Sequence, residues 1–398
     1  MASRIVPPEE TWRRIQPFLE KFGVTRIGDI TGLDIIGIPV WFAVRPNSRS
    51  LAVSQGKGID DISARVSAAM EALELAHAES HSIPIRLATF KEMSAEGEIV
   101  DIAKLPQPRT PLFGTNREIY WTQATDWNTG SPLWIPYETV HADATVPWMT
   151  GSGSFPASSN GLASGNVRQE ALLHGLYEVI ERDALAIWYR SSPHQLASRR
   201  LDLNTIEDPT ALDLLERIRR AGITPMVWDM TSDIGIASFR AILFDERFDP
   251  VTCPLPAAAG AGCHAERRIA LTRALTEAAQ SRVTIIAGSR DDLDRSRYRA
   301  GRDASAGMRS VARAPEESSH FHHVPDRSHR TLDEAIEHAV ERLKAAGLDQ
   351  VLSVDLGEPD APIAVTRVIV PGLEGPPESP IYKPGARVRT HLASERTP

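Results

Sequence analysis

Apolar residues recur with a helical period in one long stretch near the middle of the chain. From Val167 to Ile187 they return every three or four residues, which predicts a helix that packs its apolar face against a core. Because successive helical residues turn by about 100°, Glu170 and Glu181 lie about 20° apart and Glu178 lies about 80° from Glu170. The pattern therefore predicts three carboxylates on one helix face.

Two further long helices carry polar groups on one face. The first follows the segment SQGKGID at residues 54–60 and places Glu71 and Glu74 three residues apart. The second is predicted at residues 266–285, where Arg273, Glu277 and Gln280 recur on one face and Arg282 follows in the sequence.

The remaining pattern predicts a mixed α/β (α+β) protein. Residues 211–229 and 336–355 each read as a helix, an Ala-Gly stop and an apolar strand ending in Asp, and each is followed by another β-like run. We therefore expect duplicated helix-strand-strand units around mixed sheets. A short helix is predicted at residues 8–22, and two strands joined by a tight turn at residues 25–44.

The same pattern suggests how the chain is divided. We expect an N-terminal helical extension at residues 1–24, a single main domain at residues 25–385 and a tail without obvious secondary structure at residues 386–398. Residues 289–330 are charged and poor in apolar side chains, which favours a mobile insertion within the main domain.

Composition narrows the class of protein. The 398 residues are 42% hydrophobic and 24% charged, as in globular proteins, and the net charge of −8 does not favour nucleic acid as a partner. No stretch is long enough to span a membrane, and the N-terminus does not read as a signal peptide. Cys253 and Cys263 lack the spacing of a zinc or redox site. We expect a cytoplasmic protein.

Clustered carboxylates repel one another unless a cation lies among them, so the three acids can indicate a bound metal ion. The alternative is that they form an acidic helix face exposed to solvent. Small residues between Ser158 and Asn166 precede the central helix, and such a loop can present backbone N–H groups to an anion. A magnesium–nucleotide site fits this pattern, but Lys57 lacks the P-loop sequence around it. The acids that could bind a metal ion bridging the phosphates are Glu71, Glu74, Glu170, Glu178 and Glu181. The cations that could bind the phosphates themselves are Arg182, Arg273 and Arg282.

Three segments resemble the signature blocks of the YcaO family. They read KGIDDISARVSAAMEALE at residues 57–74, NGLASGNVRQEALLHGLYEVIERD at residues 160–183 and ALTRALTEAAQSRVTIIAGSRDD at residues 270–292. The resemblance implies the YcaO-type fold, with ATP and Mg²⁺ as cofactors, and activation of peptide backbone amides. In that chemistry a nucleophile adds to the amide carbon, ATP phosphorylates the resulting oxyanion, and phosphate leaves.

The resemblance also implies roles for individual residues. The magnesium and phosphate acids would be Glu71, Glu74, Glu170, Glu178 and Glu181, and Arg182 would bind phosphate. Of these, Glu178, Glu181 and Arg182 are the expected catalytic residues. Further nucleotide contacts are expected from Lys57, Asn166, Arg273, Glu277, Gln280 and Arg282.

The nucleophile decides the product. Family members that form azolines typically end in a PxPxP tail, whereas this chain ends in SPIYKPGARVRTHLASERTP, and segments such as TRIGDITGLDIIGIPVWFAVRP resemble the subgroup that works beside a TfuA protein. We therefore expect a thioamide-forming enzyme with a peptide or protein substrate, a TfuA-like partner and a homodimeric assembly. The alternatives are an azoline-forming cyclodehydratase and a non-catalytic ATP-binding scaffold.

Overall fold

The structure is a computed structural model, and it describes residues 4–247, 257–292, 319–358 and 360–394. Its first part contains a short helix, a three-stranded sheet and a long helix that follows the third strand. In order, these elements are α1 (Pro8–Ile15), β1 (Arg26–Asp29), β2 (Val40–Val44), β3 (Val53–Lys57) and α2 (Asp61–Glu79).

The next part supplies strands for a larger sheet and then the longest run of helix and strand. These elements are β4 (Arg86–Thr89), α3 (Phe90–Glu96), β5 (Glu118–Asp126), β6 (Pro132–Pro136), β7 (Leu162–Gly165), α4 (Arg168–Trp188), α5 (Pro193–Ser198), β8 (Leu201–Asp202), α6 (Pro209–Arg220), β9 (Ile223–Asp229), β10 (Ser238–Asp245), β11 (Ala257–Cys263) and α7 (Arg267–Ala287). The last part contains β12 (Ser319–His320), α8 (Leu332–Ala345), β13 (Leu352–Asp355), β14 (Ala364–Ile369) and α9 (Ala386–Ser394).

Three antiparallel sheets organise these elements. The first has the order β1-β2-β3, the second β11-β10-β9, and the third β4-β5-β13-β14-β7 with β6 paired to β5. The short strands β8 and β12 form a parallel pair. Among the described residues, no helix is both long and apolar enough to cross a lipid bilayer.

Glycines let α2 and α7 lie very close to their sheets. A Cβ atom at Gly56 of β3 would lie 2.0 Å from the backbone nitrogen of Ala68, and one at Gly262 of β11 would lie 2.1 Å from the carbonyl oxygen of Ala270. No side chain fits at these distances, so the helix backbones rest directly on the strands. This contact fixes how α2 and α7 approach the centre of the molecule.

The central helix α4 bridges two sheets. Leu173 and Leu176 in its first half share a core cluster with Val368 of β14, whereas Leu185 in its second half packs with Ala261 of β11. Because the two halves of α4 are buried against different sheets, the polar face between them lies where the sheets converge.

Most of the predicted elements are confirmed. The three long helices begin within a few residues of their predicted starts, and both helix-strand-strand units are present, as α6-β9-β10 and α8-β13-β14. The helix predicted at residues 8–22 is shorter, because a 3₁₀ turn that contains Pro17 follows Ile15. A 3₁₀ turn also separates β1 from β2, where a tight turn was expected.

The structure describes part of the predicted insertion and most of the predicted tail. Of the predicted insertion at residues 289–330, residues 293–318 lie outside the described residues, and Ser319–His320 pair with β8. The prediction of a tail without secondary structure is wrong for Ala386–Ser394, which form α9. Arg387 of this helix forms an ion pair at 2.9 Å with the fully buried Asp183 of α4, and Val388 packs beside α4.

Candidate functional site

Carboxylates from three helices face one another where α2, α4 and α7 meet. Glu71 and Glu74 come from α2, Glu178 and Glu181 from α4, and Glu277 from α7. The charges of Glu71 and Glu178 act on Glu74, and the charge of Glu277 acts on Glu181. The fold therefore brings together acids that are far apart in the sequence.

The two acids of α2 have pKa values that this environment raises. Burial raises the pKa of Glu71 to about 7, although Arg290 and Lys57 oppose the change. Burial also raises the pKa of Glu74 well above its usual value, and the charges of Glu178 and Glu71 add to that effect. Both residues still keep part of their surface exposed, so they lie at the edge of the packed interior and not deep within it.

The acids of α4 and α7 differ in how their charges are balanced. Burial raises the pKa of both Glu178 and Glu181, while Arg182 opposes the change in each case. For Glu277, burial is outweighed by the attraction of Lys57 and Arg182, which lowers the pKa of this carboxyl to about 2. Glu277 is therefore ionised, whereas Glu178 and Glu181 lack enough positive charge around them.

Two cations face the acids directly. The Lys57 ammonium forms an ion pair with Glu277. The Nη1 atom of Arg182 lies 3.8 Å from Oε1 of Glu181. Burial lowers the pKa of Arg182, but Glu181 and Glu277 raise it overall, so the guanidinium is always charged. A charged guanidinium held in this way suits recognition of a phosphate group.

A third cation, Arg367 of β14, was not predicted from the sequence. It is fully buried, and its guanidinium donates to the carbonyl oxygens of Val140, at 3.0 and 2.8 Å, and Asn160, at 2.9 Å. Burial lowers the pKa of Arg367 to about 10, while Glu178 and Glu74 oppose this change. An arginine inside the apolar run APIAVTRVIV was the available signal, because charged residues are rarely fully buried without partners.

Asn166 and Glu170 lie together where β7 passes into α4. One carboxylate oxygen of Glu170 accepts hydrogen bonds from the backbone nitrogen and Nδ2 of Asn166, at 2.8 and 2.9 Å, and the other accepts from the backbone nitrogen of Ile5. Thr11 of α1 donates its hydroxyl to Oδ1 of Asn166 at 3.0 Å. The N-terminal extension thus contacts this end of the site.

The first polar residue of the α7 face, Arg273, points to the same end of α4. Its Nη2 lies 3.1 Å from Nε2 of His174, and its Nε is buried without a hydrogen-bond partner. Burial lowers the pKa of His174 well below its usual value, and the Arg273 charge adds to this. The imidazole is therefore neutral and accepts the hydrogen bond.

Gln280 and Arg282 make contacts outside the group of acids. Gln280 donates its Nε2 to the carbonyl oxygen of Gln55 on β3 at 2.8 Å, which ties α7 to the first sheet. Arg282 is buried and lies 3.1 Å from both Asp34 and Asp245. Its charge is balanced by these two residues, and it takes no part in the group of five acids.

The chemistry of this group fits a hard divalent cation. All five acids provide oxygen ligands, and burial raises the pKa of four of them, because the nearby cations compensate for it only in part. Among the described residues, no three His, Cys, Asp or Glu side chains already converge as closely as ligands of one ion. The residues that could hold Mg²⁺ are Glu71, Glu74, Glu178 and Glu181, with Lys57 and Arg182 placed for phosphate.

Comparison with known proteins agrees with this geometry. The family model of the YcaO cyclodehydratases, described as ATP- and Mg²⁺-binding, matches residues 55–374. A protein of Rhizobium leguminosarum bv. trifolii, described as an uncharacterized protein in the tfuA 3′ region, is 41% identical over 382 residues, which cover 93% of this chain and 88% of that protein. This relative supports the resemblance to the TfuA-associated subgroup.

Solved structures show the same fold. YcaO from Methanopyrus kandleri, bound with AMPPCP and Mg²⁺, has a TM-score of 0.73 and 27% identity, with 93% of this chain and 92% of that chain covered. A heterocyclase in complex with substrate and cofactor has a TM-score of 0.78 at 21% identity, and this chain covers 55% of its length. The chain therefore belongs to the YcaO family of ATP- and Mg²⁺-binding proteins.

Proposed function

We propose that this protein uses ATP to activate a backbone amide of a peptide and replaces the amide oxygen with sulfur. In the proposed reaction, sulfide adds to the amide carbon, the oxygen is phosphorylated, and phosphate leaves, so that ATP and sulfide yield ADP, phosphate and a thioamide. The main observation that supports ATP chemistry is the group of acids from three helices, with too little positive charge around it and with Arg182 and Lys57 beside it.

The proposal assigns roles to these residues. Glu71, Glu74, Glu178 and Glu181 would hold Mg²⁺, and Glu170 and Asn166 would border it at the start of α4. When bound, Mg²⁺ neutralises phosphate charge. Arg182 would bind a phosphate oxygen through its guanidinium, and Glu277 would hold Lys57 and orient its ammonium toward the phosphates. Arg273 would bind on the His174 side, where its Nε has no partner.

The choice of sulfur as nucleophile is supported by the relative in the tfuA 3′ region. We propose that a TfuA-like protein delivers sulfur or substrate to this chain. A cytoplasmic location and a homodimer belong to the same proposal. Azoline formation is the second candidate, and the description of the matching family as cyclodehydratases favours it.

Product mass distinguishes these candidates. The full chain is incubated with ATP, Mg²⁺, sulfide, a TfuA-like partner and candidate peptides. A thioamide gives the mass gain of exchanging oxygen for sulfur, and an azoline gives the loss of one water. Unchanged peptide mass with every cognate component present would count against both reactions and favour a scaffold.

A further inference from the structure

A buried arginine lies near the C-terminal end of α4. Arg240 of β10 is 8% exposed, and no ion pair joins it to an acid within the described part of the chain. Its Nη2 donates to the hydroxyl of Tyr189 at 3.0 Å, whereas its Nε has no hydrogen-bond partner. A buried donor on a charged group is costly when it stays unpaired, so this atom calls for an explanation.

A second unpaired donor belongs to a ring beside the Arg240 guanidinium. Nε1 of Trp188 is buried and has no hydrogen-bond partner. The Arg240 guanidinium lies 5.8 Å from the ring centroid of Trp188 and 5.6 Å from that of Tyr189, and Trp188 meets Trp228 edge-on at 5.9 Å. We call Trp188, Tyr189, Trp228 and Arg240 the aromatic–arginine cluster.

The rings and the helix end explain how the fold tolerates the charge. The faces of Trp188 and Tyr189 attract the cation, and Tyr189 caps the C-terminal end of α4, where the helix dipole is negative. Neither interaction accepts a hydrogen bond from Arg240 Nε or Trp188 Nε1. Two unpaired donors in one cluster, one of them on a charged group, match an anionic group with two oxygen atoms, as a carboxylate has.

The cluster continues the polar face of α4. Tyr189 comes seven residues after Arg182 and eleven after Glu178, so that all three lie within about 20° to 40° of one another, and Tyr189 is about 10 Å along the axis from Arg182. The Tyr189 hydroxyl donates to Glu378 at 3.4 Å, and the charge of Glu378 also acts on Arg182. Tyr189 is 44% exposed, so the cluster reaches the protein surface at this residue, while the two unpaired donors lie beneath it.

We propose that the aromatic–arginine cluster binds a carboxylate of the peptide substrate about three residues from the reacting amide, since an extended peptide rises by about 3.3 Å per residue. The carboxylate accepts hydrogen bonds from Arg240 Nε and Trp188 Nε1, and the peptide between it and the amide follows the polar face of α4. This inference rests on the proposed function, because it assumes that the amide reacts beside Arg182.

Peptide binding without ATP tests this site directly. Tryptophan fluorescence of the full chain, with Trp188 and Trp228 as local reporters, is titrated with N-acetyl-triglycine and with its C-terminal carboxamide. A second pair carries an internal Asp or Asn in a peptide with blocked ends. We expect the acidic member of at least one pair to bind about tenfold more tightly than its neutral partner, as for a charge-assisted hydrogen bond. The pair that responds identifies a terminal or a side-chain carboxylate.

Variants assign the preference to the cluster. Arg240→Gln should lose the preference for the acidic peptide. The control is Arg190→Gln, which removes an exposed positive charge next to Tyr189 in the sequence and should keep the preference. If Arg240→Gln does not fold, Trp188→Phe removes the second donor while keeping an aromatic ring, and it should weaken the preference. Equal binding of acidic and neutral peptides by the unmodified protein overturns the proposal. So does a folded Arg240→Gln or Trp188→Phe protein that retains the full preference.

The outcome is separate from that of the proposed function. If the protein prefers carboxylates through Arg240 but makes no thioamide, the proposed reaction is wrong and the proposed carboxylate site stands. If the protein makes a thioamide but shows no such preference, the proposed carboxylate site is wrong and the proposed reaction stands.

Discussion

At the scale of single residues, the site depends on unequal charge compensation among similar carboxyls. Glu277 is paired with Lys57 and has a pKa lowered to about 2, whereas Glu71 has a pKa raised to about 7. Both are glutamates on helices that meet at the same site, so their pKa values differ because of their positions relative to Lys57 and Arg182. The acids with raised pKa values are the ones that gain most from a bound cation.

Removing one of these acids tests its proposed role. Glu178→Gln keeps the size of the side chain but removes an anionic ligand, so Mg²⁺ affinity and ATP turnover should fall by about 10- to 100-fold, the range seen for changes around metal ligands. Titration of Mg²⁺ against ATP turnover measures both effects. Glu337→Gln, on the exposed face of α8, is the control and should change neither. Unchanged turnover in Glu178→Gln contradicts the assignment.

The raised pKa of Glu71 predicts how stability depends on pH. The folded protein holds this proton up to about pH 7, whereas the usual value is 4.5, so the folded state binds more protons between these values. Stability without Mg²⁺ should therefore fall as pH rises through this window. Urea unfolding in EDTA at both ends of the window measures the slope. The slope should be smaller in Glu71→Gln, and an equal slope in the two proteins would show that Glu71 is not its source.

At the scale of elements, close helix–sheet contacts and buried ion pairs hold the three helices in place. Gly56 and Gly262 allow α2 and α7 to rest on their sheets. On the opposite side, α9 places Arg387 against Asp183, the residue that follows Arg182 in α4. Burial raises the pKa of Asp183 to about 6 even though Arg387 opposes this. The C-terminal helix thus supports the helix that carries the acids.

Loss of the α9 contact should destabilise the fold. Arg387→Ala leaves the fully buried Asp183 carboxylate without its cation, which typically costs about 3 kcal/mol or more. Urea unfolding measures the free energy change, and Lys383→Ala, at an exposed position in the same segment, is the control. If Arg387→Ala lowers the free energy of unfolding no more than Lys383→Ala does, the prediction is wrong, and Asp183 is then protonated or has another partner.

At the scale of the whole molecule, the site is assembled from elements of all three sheets. Lys57 comes from the first, Arg367 from the third, and α7 carries Glu277 from its place on the second. A ligand that contacts all of these groups binds only the folded chain. Its binding free energy is then added to the stability of the molecule as a whole.

Nucleotide and magnesium should therefore raise the thermal stability together. At about 100 times the Kd, a non-hydrolysable ATP analogue with Mg²⁺ should add about 2.7 kcal/mol. Differential scanning fluorimetry measures the shift in Tm, with Mg²⁺ alone and the analogue alone as references. Glu178→Gln should show a smaller shift than Glu337→Gln, and identical shifts would place the ligand elsewhere.

Local periodicity was sufficient to predict the three long helices and which of their faces are polar. It also predicted both helix-strand-strand units, because each depends on neighbours within a few residues. The acids Glu71, Glu74, Glu178 and Glu181 could be chosen from the sequence for the same reason. The C-terminal helix was missed because it is short and carries only two large apolar side chains, Val388 and Leu392, and its contact with α4 depends on Arg387 and Val388.

The sequence by itself determined the faces, and the tertiary structure decided which of them meet. Arg273 and Arg282 lie nine residues apart and therefore on opposite sides of α7, and only the fold shows that Arg282 is balanced by Asp34 and Asp245, while Arg273 points to the start of α4. Arg367 joins the acids from a strand with no polar pattern of its own. These outcomes depend on long-range packing, and only the folded chain sets the burial and the neighbouring charges that determine each pKa.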